Sequence, residues 1–287
     1  MSGNERQHTK VTPDWHRWIA ESLQAGSRAV DILQTMLDNG FAERAAWTAI
    51  DDAYSVNGTS PVASSTERTV FRSRLADGHE LDAGDRTVRV LARIARPAVA
   101  VLDGVLSAEE CRAFRDMAAR RLTRSAVVDR DHGRHAVMDI RTSDGAYFQR
   151  AENELVALVD RRVSALMHLP EEHGEGLQVM RYGIGGEYQP HFDYFDPADK
   201  GSLPHLNTGG QRVSTLIMYL NDVEAGGETI FPRIDFSVVP REGQGLYFEY
   251  DTPEGGLDPL TLHGGAPVTR GEKWIVTKWM RERAFPG

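Results

Sequence analysis

At 287 residues, with 40% hydrophobic and 26% charged side chains, the chain has the composition of a globular protein able to bury a sizeable core. Its net charge of −9 argues against non-specific binding to nucleic acid or to an anionic membrane surface, while a basic peptide would be attracted. A single cysteine, Cys111, excludes an intrachain disulfide. No run approaches eighteen apolar residues, and the opening MSGNERQHTKVTPDW lacks a signal-peptide core, so the expectation is a reducing, cytoplasmic compartment and no membrane span.

Pro13-Asp14 opens a helical pattern in which Trp15, Trp18, Ile19 and Leu23 recur on one face, with Gly26 as a stop. A second helix carries Ile32, Leu33, Met36 and Leu37 ahead of Gly40, and a third carries Ala45, Ala46, Ala49 and Ile50. These predict a three-helix bundle over 1–56, with the tryptophans as core. Such a bundle serves as an accessory cap, as a peptide-binding module, or for self-association into a homodimer. The polar stretches VNGTSPVASST and DGHELDAGD mark a linker over 57–85, ahead of a main domain over 86–287.

In TVRVLARI, alternation puts Val88, Val90, Ala92 and Ile94 on one face of a strand and Arg89 and Arg93 on the other. Ser107-x-x-Glu110 is a capping box that starts a helix to Leu122, with Leu106 and Cys111 as its staple and Cys111 as a buried small hydrophobe. His132 and His135 have a spacing that suits a metal on a helix, but the surrounding Gly and charges predict a loop and argue against ligation there. A helix from Glu152 to Met167 turns Leu155, Leu158, Val159, Val163 and Leu166 inward, and Pro170 ends it. From Leu177 onward short strands (LQVMRY, VSTLIMYL, FSVVP, GLYFEY, LTLH, KWIVTKW) alternate with Gly- and Pro-rich turns, the pattern of a sandwich or barrel. The fold class expected is α+β: a double-stranded β-helix, or jelly roll, flanked by helices, with the small helical bundle in front.

His191-Phe192-Asp193 is a His-x-Asp pair whose side chains share one face if the chain is extended. With His263, in LTLHGG, it offers two imidazoles and one carboxylate, the facial triad that holds Fe(II) and leaves positions open. In KWIVTKW, alternation places Lys273, Ile275, Thr277 and Trp279 on one face and Trp274, Val276 and Lys278 on the other. A Lys273 pointing inward needs an anionic partner, for which the far carboxylate of 2-oxoglutarate is suited. Lys278 reads as a solvated strand lysine.

Taken together and in order, RYGIGGEYQPHFDYF, GGQRVSTLIMYLN, GGETIFP and LHGGAPVTRGEKWIVTKW resemble the prolyl 4-hydroxylase family of Fe(II)/2-oxoglutarate dioxygenases, from about Ala98 to Arg283. The resemblance implies His191, Asp193 and His263 as iron ligands. It implies Lys273 and Tyr182 as binders of 2-oxoglutarate, with Thr229 and Thr277 as further candidates for the same pocket. Tyr188 and Trp279 match aromatics near the target proline, and Glu175 and Arg212 match polar positions near the peptide backbone. The implied reaction consumes 2-oxoglutarate and O2, releases succinate and CO2, and hydroxylates the substrate, with ascorbate as the reductant that rescues oxidised iron. Two other readings stand beside a peptidyl-prolyl hydroxylase: the same chemistry on a free amino acid or small metabolite, and a catalytically inactive interaction protein. The long polar segment DYFDPADKGSLPHLNTGGQR, which holds His205, is expected to be a mobile loop that covers substrate.

Overall fold

A computed structural model describes residues 8–24, 27, 29–56, 73–124, 127–128, 135–136, 142–252 and 256–286. The chain divides into two compact units, 1–70 and 71–287. The first holds α1 (Pro13–Gln24), α2 (Ala29–Asp38) and α3 (Glu43–Val56). Ile19, Ile32, Met36, Phe41, Ala46 and Ile50 form its core. Trp15 meets Trp18 edge-on at 5.1 Å and Phe41 at 5.0 Å, so these rings pack against the core, as their helical spacing predicts. Among the described residues no helix is long and apolar enough to cross a membrane.

The second unit is built on a nine-stranded antiparallel sheet. Its strands run in the order Glu80–Asp82, Thr87–Ile94, Val99–Asp103, Gly245–Glu249, Arg212–Tyr219, Lys273–Arg281, Leu177–Tyr182, Asp144–Phe148 and Thr123–Arg124. A second antiparallel sheet orders Phe236–Val238, Thr229–Phe231, His263–Gly265 and Tyr188–His191. The small sheet packs on one face of the large one, with Phe231 and Val238 against Ile217, Phe248 and Ile275. The other face carries α4 (Ala108–Ala119) and α5 (Glu154–Met167), whose Phe114, Val159 and Val163 share a core with Leu102, Leu216 and Val276. This is the helix-flanked jelly roll expected from the strand pattern.

Local sequence sets the ends of the two helices. The Ser107 hydroxyl accepts from the Glu110 N–H, while the Glu110 carboxylate accepts from the Ser107 N–H at 2.8 Å, closing the capping box. Asn153 caps α5 by accepting from Val156 N–H at 3.0 Å. His168 then ends that helix in the left-handed conformation, two residues before Pro170. Cys111 is fully buried and burial pushes its thiol up to about 12, so it is an inert core residue.

Three findings depart from the sequence reading. The strand Thr87–Ile94 has a register shift between Val90 and Ala92. Val88 and Val90 therefore join the helix-side core, whereas Ile94 joins the core between the sheets and Ala92 is exposed. Part of the 57–85 span is structured: Glu80–Asp82 is the edge strand, and Asp85 pairs at 2.6 Å with the buried Arg162 of α5. Only Leu81 is buried in that edge strand, too little apolar signal to mark it in sequence. His132, with the side chain of His135, lies outside the described residues.

The third departure is Lys278, which is 1% exposed rather than solvated. α5 covers its face of the sheet, and its ammonium pairs with Asp160 at 2.6 Å and donates to the Glu175 carbonyl. Asp160 also accepts from Ala151 N–H at 2.9 Å. Lys278→Ala would leave the Asp160 carboxylate buried without its cation, at an expected cost of about 3–5 kcal/mol. Chemical denaturation checks this: the midpoint should fall sharply for Lys278→Ala and recover most of the loss when Asp160→Leu is combined with Lys278→Met.

Candidate active site

The strand Tyr188–His191 ends at His191, and the facing strand begins at His263, its direct register partner. Asp193 follows two residues after His191 and turns to the same point. One ligand atom from each of the three lies within 4.8 Å of the others. The Nε2 atoms of His191 and His263 stand 3.5 Å from separate oxygens of Asp193. Each Nδ1 instead meets a backbone carbonyl, Gln189 at 2.8 Å and Thr261 at 2.9 Å. A carbonyl only accepts, so each Nδ1 carries the hydrogen and each Nε2 presents its lone pair to the cluster.

The surroundings set the protonation states. Burial opposes ionisation of Asp193, but the adjoining His263 and His191 rings and the Arg212 guanidinium hold its carboxyl far below the usual range. Thr215 Oγ1 donates to it at 2.8 Å, with the Tyr250 hydroxyl at 3.4 Å. Burial among Phe231 and Phe248 pushes His263 down to about 4, so this ring is neutral at physiological pH. Tyr188 stacks on His191 with ring centroids 3.6 Å apart, which fixes the ring plane. Two oriented imidazoles and an ionised carboxylate on one side of a cavity are the donor set that suits Fe(II) with positions left open.

The cavity has a volume of about 730 Å³. Lys273 reaches into it from the start of the strand Lys273–Arg281 and is 3% exposed. Its Nζ lies 3.5 Å from Thr229 Oγ1, and within 6 Å of the Tyr182 and Tyr219 ring centres at 5.8 and 5.9 Å. No carboxylate among the described residues comes within ion-pair distance, and burial pushes its pKa down to about 7 despite the attraction of Glu228. Thr277, on the same face, has a buried hydroxyl oxygen without a hydrogen-bond partner among the described residues. A buried cation and an unpaired hydroxyl on one wall fit an added carboxylate, as 2-oxoglutarate would bring.

Arg212 lines the same cavity and makes a two-pronged pair with Glu175 at 2.7 and 2.8 Å. It lies over the Trp279 ring at 4.1 Å and donates to the Asp193 carbonyl at 3.1 Å. The indole Nε1 of Trp279 is buried with no hydrogen-bond partner among the described residues. Tyr182, Tyr188, Thr229 and Glu175 line the same cavity, so the structure brings together every site residue named from the sequence.

Sequence reasoning missed Thr215 and Tyr219, ordinary strand residues, and Tyr250, just past the strand Gly245–Glu249, whose partners lie 10 to 57 positions away in the chain. It also missed Arg281, which a signal did mark: the alternation Lys273, Ile275, Thr277, Trp279 continues to it, and it too lines the cavity.

The profile of the 2OG-Fe(II) oxygenase superfamily matches residues 177–281. Prolyl 4-hydroxylase 5 of Arabidopsis thaliana is 35% identical over 252 residues, covering 80% of this chain and 84% of that protein. Probable prolyl 4-hydroxylase 3 of the same plant is 38% identical over 218 residues, covering 69% and 73%. Among solved structures, the 2-oxoglutarate complex of the viral collagen prolyl hydroxylase from Paramecium Bursaria Chlorella virus-1 is similar at a TM-score of 0.50 and 28% identity, over 64% of this chain and 95% of that one. With over a third of the residues shared along most of such relatives, and the fold to match, the chain belongs to the prolyl 4-hydroxylase family of Fe(II)/2-oxoglutarate dioxygenases.

Proposed function

We propose that this dioxygenase hydroxylates proline within a peptide or protein, using His191, Asp193 and His263 to hold Fe(II) and Lys273 to hold 2-oxoglutarate. The observation that carries the reading is a buried lysine without an acid partner in the same cavity as a three-ligand cluster. Bound Fe(II) and 2-oxoglutarate would together activate O2, turning the keto acid into succinate and CO2 while one oxygen atom goes to the substrate.

The protein's part is to position and to shield. Lys273 binds the far carboxylate, with Thr277, Thr229 and Tyr182 lining the same wall. Thr215 keeps Asp193 turned toward the cluster. Tyr188 and Trp279 form apolar walls that suit a pyrrolidine ring. Trp279 and Arg212, the latter held by Glu175, line the cavity, and their N–H groups suit the carbonyls of an extended peptide.

The test is an assay with Fe(II), 2-oxoglutarate, ascorbate and a panel of proline peptides. The expected result is a gain of one oxygen atom on proline, matched by succinate, with free L-proline giving no stimulation. Stimulation by a free amino acid and by no peptide would overturn the reading.

A further inference from the structure

The segment that joins the Asp193 turn to the strand Arg212–Tyr219, expected as a loop, has its own structure. It forms a 3₁₀ turn, Lys200–Ser202, and a short helix α6, Leu203–Asn207. Asp199, Ser202 and His205 face the cavity, and the His205 ring lies flat on Phe195 at 4.9 Å. Gly209 and Gly210, at φ +82° and +77°, return the chain to the sheet in a conformation that other residues rarely adopt. A helix this short cannot sustain itself, and the carbonyls at its end need donors from elsewhere.

Those donors come from the end of the strand Lys273–Arg281 and the residues just after it. Arg281 Nη2 donates to the carbonyls of both His205 and Thr208, and Arg283 Nη2 donates to Leu206 O at 3.2 Å. The other arm of Arg281 lies 3.4 Å from Glu175, the carboxylate that holds Arg212. The Arg281 side chain is 1% exposed, and its guanidinium sits 4.9 Å from the Phe195 ring centre and 5.2 Å from that of Phe285. Burial lowers its pKa to about 10, which leaves it charged at neutral pH. One guanidinium thus spans the covering segment and the polar anchor of the substrate wall.

We infer that Arg281 is a positioning residue for the peptide substrate: it docks segment 203–208 over the cavity and fixes the Glu175–Arg212 pair in one arrangement. This rests on the peptidyl-proline reading, and it predicts control of peptide binding rather than of 2-oxoglutarate binding. Lysine cannot replace it, because a single ammonium does not reach two carbonyls and a carboxylate at once.

The experiment compares full-length wild type with Arg281→Lys, which keeps the buried charge, and Arg281→Met, which keeps the bulk. In both, the KM for peptide should rise about tenfold or more, with the KM for 2-oxoglutarate within about twofold of wild type. Limited proteolysis between residues 200 and 210 should be faster in both. If Arg281→Met does not fold, Arg281→Lys alone decides. An unchanged peptide KM, even with a lowered Tm, or a parallel rise in both KM values overturns the inference. If wild type hydroxylates no peptide, the substrate reading fails separately, and docking is judged by proteolysis: faster cutting supports it and equal cutting overturns it.

Discussion

Asp193→Ala is expected to lower succinate formation by more than about a thousandfold, equivalent to about 4 kcal/mol of barrier. Asp193 is the only acid in the three-ligand cluster and the element that both histidine Nε2 atoms face at 3.5 Å. Removing it takes away one donor and the negative charge that offsets a divalent cation in a buried site. It also removes the carboxylate oxygen that Thr215 Oγ1 and the Tyr250 hydroxyl share, leaving those two hydroxyls only each other as partners. Anaerobic titration with Fe(II) provides the second readout, and affinity should fall with activity. Thr215→Val makes an informative contrast: the ligands stay, one orienting bond goes, and the loss should be about 10–100-fold. An Asp193→Ala protein that binds Fe(II) and turns over normally would remove the iron centre from this cavity.

The second large effect is at Lys273. Lys273→Met should raise the KM for 2-oxoglutarate by about 10²–10³-fold, the consequence of leaving a carboxylate without its cation in a buried pocket. Stability should move the other way. The amine titrates near 7 in the folded protein, below the 10.5 of an exposed lysine, because burial disfavours its charge. Between those values the unfolded chain binds the extra proton, so wild-type stability rises as pH climbs through that window and is lowest below it. Methionine has no charge to bury and removes this slope. At pH 7 or below, ligand-free Lys273→Met should melt at least about 3 °C higher than wild type, the shift that 1 kcal/mol gives in a domain of this size. It should also lose the stabilisation that 2-oxoglutarate confers on wild type. In wild type, affinity for 2-oxoglutarate should weaken as pH rises above 7 and the amine loses its proton. A calorimetric titration across pH 6–9 checks the direction, and a flat profile would disconnect Lys273 from the co-substrate.

The site was legible in sequence to the extent that its geometry is local. The two-residue spacing of His191 and Asp193 marked the pair, although the strand ends at His191 and a turn brings Asp193 in, and the strand period set the inward face of Lys273, Thr277 and Trp279. What failed was knowledge of the layer behind. Lys278 alternates correctly away from the cavity, but alternation says nothing of whether water or a helix lies there, and α5 does. The bulge after Val90 turns Ile94 to the other face, a change of register that composition does not record. Thr215, in a strand, and Tyr250, just past one, are chemically plain residues whose role comes from segments meeting across long stretches of chain. α6 has five residues, too few to show a helical period, so its span read as loop.

Both histidines take their tautomer from main-chain oxygens two positions upstream, Gln189 and Thr261. Many metal sites use a second acidic side chain for that task, and a point mutation there misaligns the ligand. Here the instruction is written into the path of the peptide backbone. An engineer could rewrite the exposed side chain at 189 without retuning the donor atom of His191, whereas a change that re-routes either strand, such as an inserted residue, would turn the imidazole that strand carries.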